Sequence, residues 1–276
     1  MRIALTGASG LVGRWIARAA VTAGHEIYPL PAWRLGQTPD LTRCDALIHC
    51  AFQHLPGKYR GGEGSDPDGF TRANLDGSRA LFHVALDQGV GRVVFLSSRA
   101  IHDGHPAGAE LADELAPAPT SLYGEVKAQA EAELAALSSS DFRTASLRPT
   151  GVFGPGQPQK WAKLIRDFLA GASVPSRVAT EVHGADLGHA AMLVLAAPDM
   201  SGSYNVSDLI LDNHDLLSGI AVLTGSHRQP PARADASLLR VPVCARLHAL
   251  GWRPDGLARL HNDLQSILRD ATGEDA

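Results

Sequence analysis

The sequence predicts a doubly wound α/β fold, a parallel sheet between helical layers followed by a small C-terminal lobe, and three observations carry that reading. Short apolar runs, IAL at 3–5, ALIHCA at 46–51 and RVVFL at 92–96, read as buried strands of a parallel sheet. Stretches of helical period alternate with them, at 12–23, 70–89 and from 123 onward. The first run enters a glycine-spaced turn, Gly7, Gly10 and Gly13, before its helix begins. Residues 1–155 are expected to form the sheet domain and 156–276 the lobe, with 181–208 returning to the sheet.

Composition narrows the function classes. With 45% hydrophobic and 20% charged residues in 276, the chain is ordinary for a soluble globular protein. A net charge of −4 without a basic stripe argues against nucleic acid as a partner. No apolar run approaches the roughly 20 residues that span a bilayer, and the N-terminus lacks a signal-peptide pattern. A cytoplasmic protein acting on a small molecule, without nucleic acid or membrane, is the expectation. Cys44, Cys50 and Cys244 form no paired framework and no CxxC, so buried inert thiols are expected. Among the histidines, His102, His105, His183 and His189 join no metal-ligand spacing, so no metal is expected and these are read as surface or loop residues.

Each element then follows in order. Gly7 permits a tight turn, Gly10 lets backbone approach a ligand, and Gly13 lets the helix pack on its strand; the free helix N–H groups then face an anion. Gly7, Ser9, Gly10, Leu11, Val12 and Gly13 are therefore candidate contacts of a dinucleotide pyrophosphate. The helix at 12–23 stops at Gly24, and HEIYPL at 25–30 is the second strand. About 20 residues past the glycines, where an acid usually meets the adenosine ribose, stand Pro31, Ala32, Trp33 and Arg34. Arg34 is suited to a 2′-phosphate, which favours NADP over NAD. Residues 31–45 are too few for a further strand with its crossover helix, so an abbreviated strand near 33–35 and a thinly covered sheet face are expected.

The Gly- and Pro-rich stretch 52–70 is a loop at a strand's carboxyl end, read as a lid or substrate contact or as a plain surface excursion. Helix 70–89 carries Asn74, and strand 92–96 runs into Ser97 and Ser98. Tyr123 and Lys127 lie four apart on SLYGEVKAQAEAEL and share a helix face. A phenol of pKa near 10 needs such a cation to work as an acid/base near neutral pH, and a serine beside it can hold the reacting oxygen. Beyond lie a strand at 144–147, a glycine-rich turn at 150–156, helices at 161–169 and through 195, a strand at 203–207, and lobe helices from 212, at 245–250 and at 257–268.

The ordered motifs TGASGLVG, ALIHCA, NLDGS, VVFLSS, YGEVK, LRPTGVFGPG and HGADLGHA make the chain resemble the extended short-chain dehydrogenase/reductase family, in its NAD(P)-dependent epimerase/dehydratase branch. The resemblance implies a Rossmann-type sheet, NADP or NAD, and hydride transfer between nicotinamide and a secondary alcohol or ketone carbon of a small or sugar-like substrate. It implies Ser98 as the catalytic serine, Tyr123 as acid/base, and Lys127 as the ribose-binding lysine that lowers the phenol pKa. To the cofactor contacts it adds Ala51, Asn74, Tyr123, Lys127, Pro149 and Val152, and to the substrate contacts Phe52, His102 and Arg148. His102 stands in a segment where the family commonly has Val-Tyr-Gly, so it is expected to face substrate. Asp186 matches a family aspartate and is read as a helix cap. Arg99 and Ala100 stand where a dehydratase would carry an acidic pair, which leaves dehydrogenase or reductase activity first and nucleotide-sugar epimerisation as the alternative. A non-catalytic NAD(P)-binding sensor is the reading from another class. Relatives dimerise through the helices that here span 70–89 and 123–137, which makes a homodimer an expectation.

Overall fold

The computed structural model describes residues 1–30, 33–55 and 61–273. In chain order its elements begin with β1 (Arg2–Thr6), α1 (Leu11–Thr22), β2 (Glu26–Tyr28), β3 (Ala46–His49) and α2 (Pro67–Thr71). A π turn (Arg72–Asp76) leads into α3 (Gly77–Asp87), then β4 (Arg92–Leu96), a 3₁₀ turn (Arg99–His102), β5 (Glu110–Leu111) and α4 (Leu122–Ala136). There follow β6 (Arg143–Pro149), β7 (Gly151–Phe153), α5 (Ala162–Ala170), β8 (Val178–His183), α6 (Gly184–Ala196) and β9 (Ser203–Val206). The chain ends with β10 (Leu209–Asp212), α7 (Asn213–Thr224), β11 (Val241–Pro242), α8 (Ala245–Ala249) and α9 (Gly256–Thr272).

Six strands form one sheet in the order β2-β1-β3-β4-β6-β9, and every neighbouring pair is parallel. Strands β1, β3, β4 and β6 are buried on both faces, which is why their sequences run apolar instead of alternating. On one face α1 and α6 pack through Ile16, Ala20, Leu187 and Ala190. On the other, α3 and α4 pack Leu81, Phe82, Val126 and Ala130 against Val93 and Phe95. A second sheet, β10-β8-β7, shares a core with α5, α7 and α9 through Phe153, Trp161, Leu217 and Leu264. Within 181–208, residues 181–183 end β8 of this second sheet, whereas α6 and β9 belong to the main one.

The structure departs from the sequence reading at two places that border the site. No strand forms at 33–45: β1 pairs directly with β3, and the segment runs irregularly instead. Nor is the face left thin there. Leu41 is wholly buried in the α3-side core, and its N–H donates to Gln88 Oε1 at 2.5 Å. An irregular segment thus fills the space of a crossover helix too long for fifteen residues to build.

Helix 70–89 also begins earlier and is broken. Asp66 caps α2, its Oδ1 accepting from the Gly69 N–H at 2.8 Å, and the ladder widens to a π turn across Asn74. The Asn74 side chain donates back to Phe70 O at 3.0 Å within that widened turn.

Candidate functional site

In an open parallel sheet ligands bind outside the strands' carboxyl ends, and the expected site residues converge there on β1, β3, β4 and β6. Gly7 has φ of +68°, and a Cβ on it would stand 2.8 Å from Ala51 N. A Cβ on Gly13 would stand 2.1 Å from Gly7 O, so only hydrogen fits between α1 and the turn. The Gly10 N–H closes the turn on Gly7 O at 3.0 Å. Gly10 also begins α1 without a side-chain cap, and the first turn holds no acid. The first N–H groups of α1 therefore end in an uncapped positive helix terminus, and this backbone cradle fits the pyrophosphate of a dinucleotide.

The far wall is built by β3 and the π turn. Cys50 and Ala51 donate their N–H groups to Thr6 Oγ1, each at 3.1 Å, so a ligand meets Ala51 only through its carbonyl or methyl group. Asn74 is 1% exposed and its amide is fully engaged. Its Oδ1 accepts from Gln53 N at 2.7 Å, and Nδ2 donates to Gln53 O at 2.8 Å and to Phe70 O. Its visible task is to hold the 51–53 backbone. Arg34 is exposed, with Nη1 donating to Trp33 O at 3.2 Å, and the neighbouring Leu35 packs against Gly77 at the start of α3. Beside it a cavity of about 390 Å³ is lined by Tyr28, Leu30, Trp33 and Asp40. Pro31 and Ala32 lie outside the described residues.

The two serines after β4 are placed differently. Ser97 is buried and its Oγ has no hydrogen-bond partner among the described residues, whereas Ser98 is half-buried and its Oγ accepts from Ala100 N at 3.1 Å. That contact leaves the Ser98 hydroxyl proton for another acceptor. Ser121 caps α4, and Gly124 sits so close to the serine-bearing turn that a Cβ would stand 2.8 Å from Ala100 O. This close approach brings Tyr123 beside that turn. Lys127 reaches beneath it, Nζ donating to Leu96 O at 2.6 Å, with the Phe52 and Phe95 rings at 4.3 and 4.7 Å. Burial lowers the Lys127 pKa from 10.5 to about 7, opposed by the Cys50 thiol and the Glu131 carboxylate. Phe52 also stands edge-on to Tyr123 at 5.1 Å and Phe70 at 5.5 Å, roofing the pair. Pro149 ends β6 beside this group, and Val152 is half-buried in β7.

Two expected substrate contacts are not in the cleft. His102 has no exposed surface and Arg148 only 5%. Arg148 pairs with Glu131 at 2.7 Å, donates to Asp113 O at 2.8 Å, and has the His102 ring 3.4 Å away. Burial first, then the Arg148 charge, lowers the His102 pKa to about 4. The two residues therefore tie the 3₁₀ turn to α4 beneath the site. Surface placement fails for His183 too: it is 1% exposed and caps α6 itself, Nδ1 accepting from Ala185 N at 3.1 Å. Asp186, expected as a cap, instead pairs with Arg259 at 3.0 Å. Burial pushes the Cys50 and Cys244 thiols up to about 12.

Two buried groups escaped the sequence reading. Glu181 is buried and pairs with the more exposed Lys160 in the space where Gly151 lacks a side chain; it sits in a strand whose polar residues masked its apolar character. His49 lies wholly buried at the end of β3, and its place inside the apolar run ALIHCA was the available signal. Among the described residues no three His, Cys, Asp or Glu side chains gather to hold a metal ion. Among them, too, no helix is long and apolar enough to cross a membrane.

Residues 3–207 match the NAD dependent epimerase/dehydratase family. The chain is 30% identical over 204 residues to UDP-glucose 4-epimerase of Vibrio cholerae, a match covering 71% of this chain and 61% of that protein. It is 27% identical to 2-alkyl-3-oxoalkanoate reductase of Stenotrophomonas maltophilia, covering 91% of this chain and 84% of that one. Among solved structures, the fold is similar to Thermus thermophilus UDP-glucose 4-epimerase in complex with NAD, with TM-score 0.80, 23% identity and 100% of both chains covered. RMD from Pseudomonas aeruginosa complexed with NADPH gives TM-score 0.80 at 23% identity over 99% of both chains.

Proposed function

Because the chain belongs to the NAD dependent epimerase/dehydratase family, we propose that it is an NAD(P)-dependent oxidoreductase acting at a secondary alcohol or ketone carbon, with Ser98, Tyr123 and Lys127 as its working residues. The observation that carries this is the meeting of α4 with the Ser98 turn at the carboxyl end of β4, which sets Tyr123 and Lys127 one helical turn apart beside an accessible serine. A bound nicotinamide would supply or accept the hydride. Ser98 donates to the substrate oxygen, and Tyr123 gives that oxygen a proton in reduction or takes it in oxidation. Lys127, when protonated, favours the phenolate electrostatically. The uncapped α1 terminus and the Gly7–Gly13 cradle hold the pyrophosphate.

Reduction of a small ketone is preferred over nucleotide-sugar epimerisation. The reductase match runs over 91% of this chain and 84% of the relative, the epimerase match over 71% and 61%. Arg34, exposed in the first half of the connection from β2 to β3, favours a 2′-phosphate and hence NADP. The homodimer through α3 and α4 belongs to the same reading.

Tyr123→Phe tests it. Turnover in a panel of ketones and secondary alcohols should fall at least ~10²-fold while NAD(P)H affinity stays near wild type. Near-normal turnover would remove Tyr123 from the chemistry. Cofactor binding by the wild type without transfer of nicotinamide label to any substrate would favour the sensor reading.

A further inference from the structure

We infer that His49 is a positioning residue of the cofactor site, fixed as the neutral Nε2–H imidazole in a one-way hydrogen-bond relay joining the glycine turn to the π turn. Its functional meaning rests on the dinucleotide reading above; the relay itself does not.

The directions follow from counting protons. Ser78 Oγ lies 2.5 Å from Asn74 O, which can only accept, so the serine's single proton is spent there. His49 Nε2, 3.0 Å from the same Oγ, must then donate to it. Nδ1 is left as the acceptor for the proton of Thr6 Oγ1 at 2.7 Å. With its proton given away, Thr6 Oγ1 has two lone pairs, and they take the N–H groups of Cys50 and Ala51. Every hydroxyl and imidazole proton of the relay then has an acceptor. A proton on Nδ1 would place a third donor on Thr6, and burial with the Lys127 charge lowers the His49 pKa to about 3.

The consequence is mechanical. Thr6 immediately precedes Gly7, whose Cα hydrogens face the Ala51 peptide, and Asn74 at the other end clamps Gln53. One imidazole therefore sets the spacing between the pyrophosphate turn and the 51–53 wall, across strands in which Thr6 and His49 are register partners. Edge-on Phe82 and stacked Phe95 keep the ring from rotating.

Nitrogen-15 spectra of the full-length protein labelled in histidine, with His49 assigned by its loss in His49→Phe, should show a protonated Nε2 and a bare Nδ1 at pH 7 without cofactor. In fluorescence titration, His49→Phe, which keeps the aromatic packing, should weaken NADH or NADPH binding about 10-fold or more, the scale of one or two lost buried hydrogen bonds. His49→Gln, which restores one acceptor and one donor, should recover part of it. A merely structural histidine would lower the melting temperature without changing cofactor affinity in the folded variant. An Nδ1–H tautomer, an imidazolium at pH 7, or unchanged affinity in His49→Phe overturns the proposal. If His49→Phe does not fold, Ser78→Ala should weaken binding in the same direction, and unchanged affinity there overturns it equally. A wild type that binds neither cofactor would refute the oxidoreductase reading, while the tautomer still decides the relay.

Discussion

Lys127→Met should make the protein more stable at neutral pH while abolishing its activity. Lys127 is 2% exposed, with Leu96 O as its one hydrogen-bond acceptor among the described residues. A pKa lowered from 10.5 to about 7 means, at about 1.4 kcal/mol per pH unit, that folding disfavours the ammonium by about 5 kcal/mol. Methionine fills similar volume and removes that cost, but it leaves Leu96 O without its donor, worth about 1–3 kcal/mol. The net gain at pH 7 is on the order of 2–4 kcal/mol. The sign with pH follows from proton binding. Between pH 7 and pH 10 the unfolded lysine keeps its proton while the folded one releases it, so wild-type stability rises with pH at about 1.4 kcal/mol per unit. The variant has no such group, and the difference between the two cancels every other titration. Urea unfolding of both at pH 7, 8 and 9 should show the gap closing by about 2–3 kcal/mol. A variant less stable than wild type at pH 7, or a gap that stays constant across this range, would refute the argument.

Two further outcomes follow from the cofactor cradle. Gly13→Ala places its Cβ 2.1 Å from a backbone oxygen that no rotamer can move. It should cost about 1–3 kcal/mol or more in urea unfolding and weaken NAD(P)H binding; full affinity would show that the turn does not hold the pyrophosphate. Arg34→Ala should lower the NADPH-over-NADH preference by about 5- to 10-fold in parallel titrations, the scale of one charge-assisted phosphate contact, and an unchanged preference removes Arg34 from cofactor selection.

What was legible in the sequence was what local pattern can carry. ALIH and RVVFL announce central strands because parallel strands buried on both faces exclude charge. SYNVS likewise reads as a strand, and β9 takes its place beside β6. The glycine spacing was legible because steric exclusion acts between residues 7 and 13 themselves. Where partners are distant, the pattern failed. Arg148 is buried because Glu131, 17 residues away, and Asp113, 35 away, meet it in space. Without sight of them an arginine after a strand reads as a cleft residue. The strand VATEVH was missed for the same reason, since Glu181 is tolerable inside only with Lys160 beside it. The break in helix 70–89 left no trace because a single widened turn leaves the apolar spacing on either side intact.

That widened turn fixes the chain's length as well as its composition. A π turn takes up one more residue than an α turn, so α3 is rotated by about 100° from the phase that α2 would have given it. Phe70 before it and Leu81, Phe82 and Ala85 after it all lie in the same core across that offset. Removing one residue from 72–76 would restore an unbroken helix with its flanking faces still in phase, so the loss would fall on Asn74 and its hold on Gln53. Homologous chains compared with this one should therefore keep the residue count between these points even where the residues themselves change.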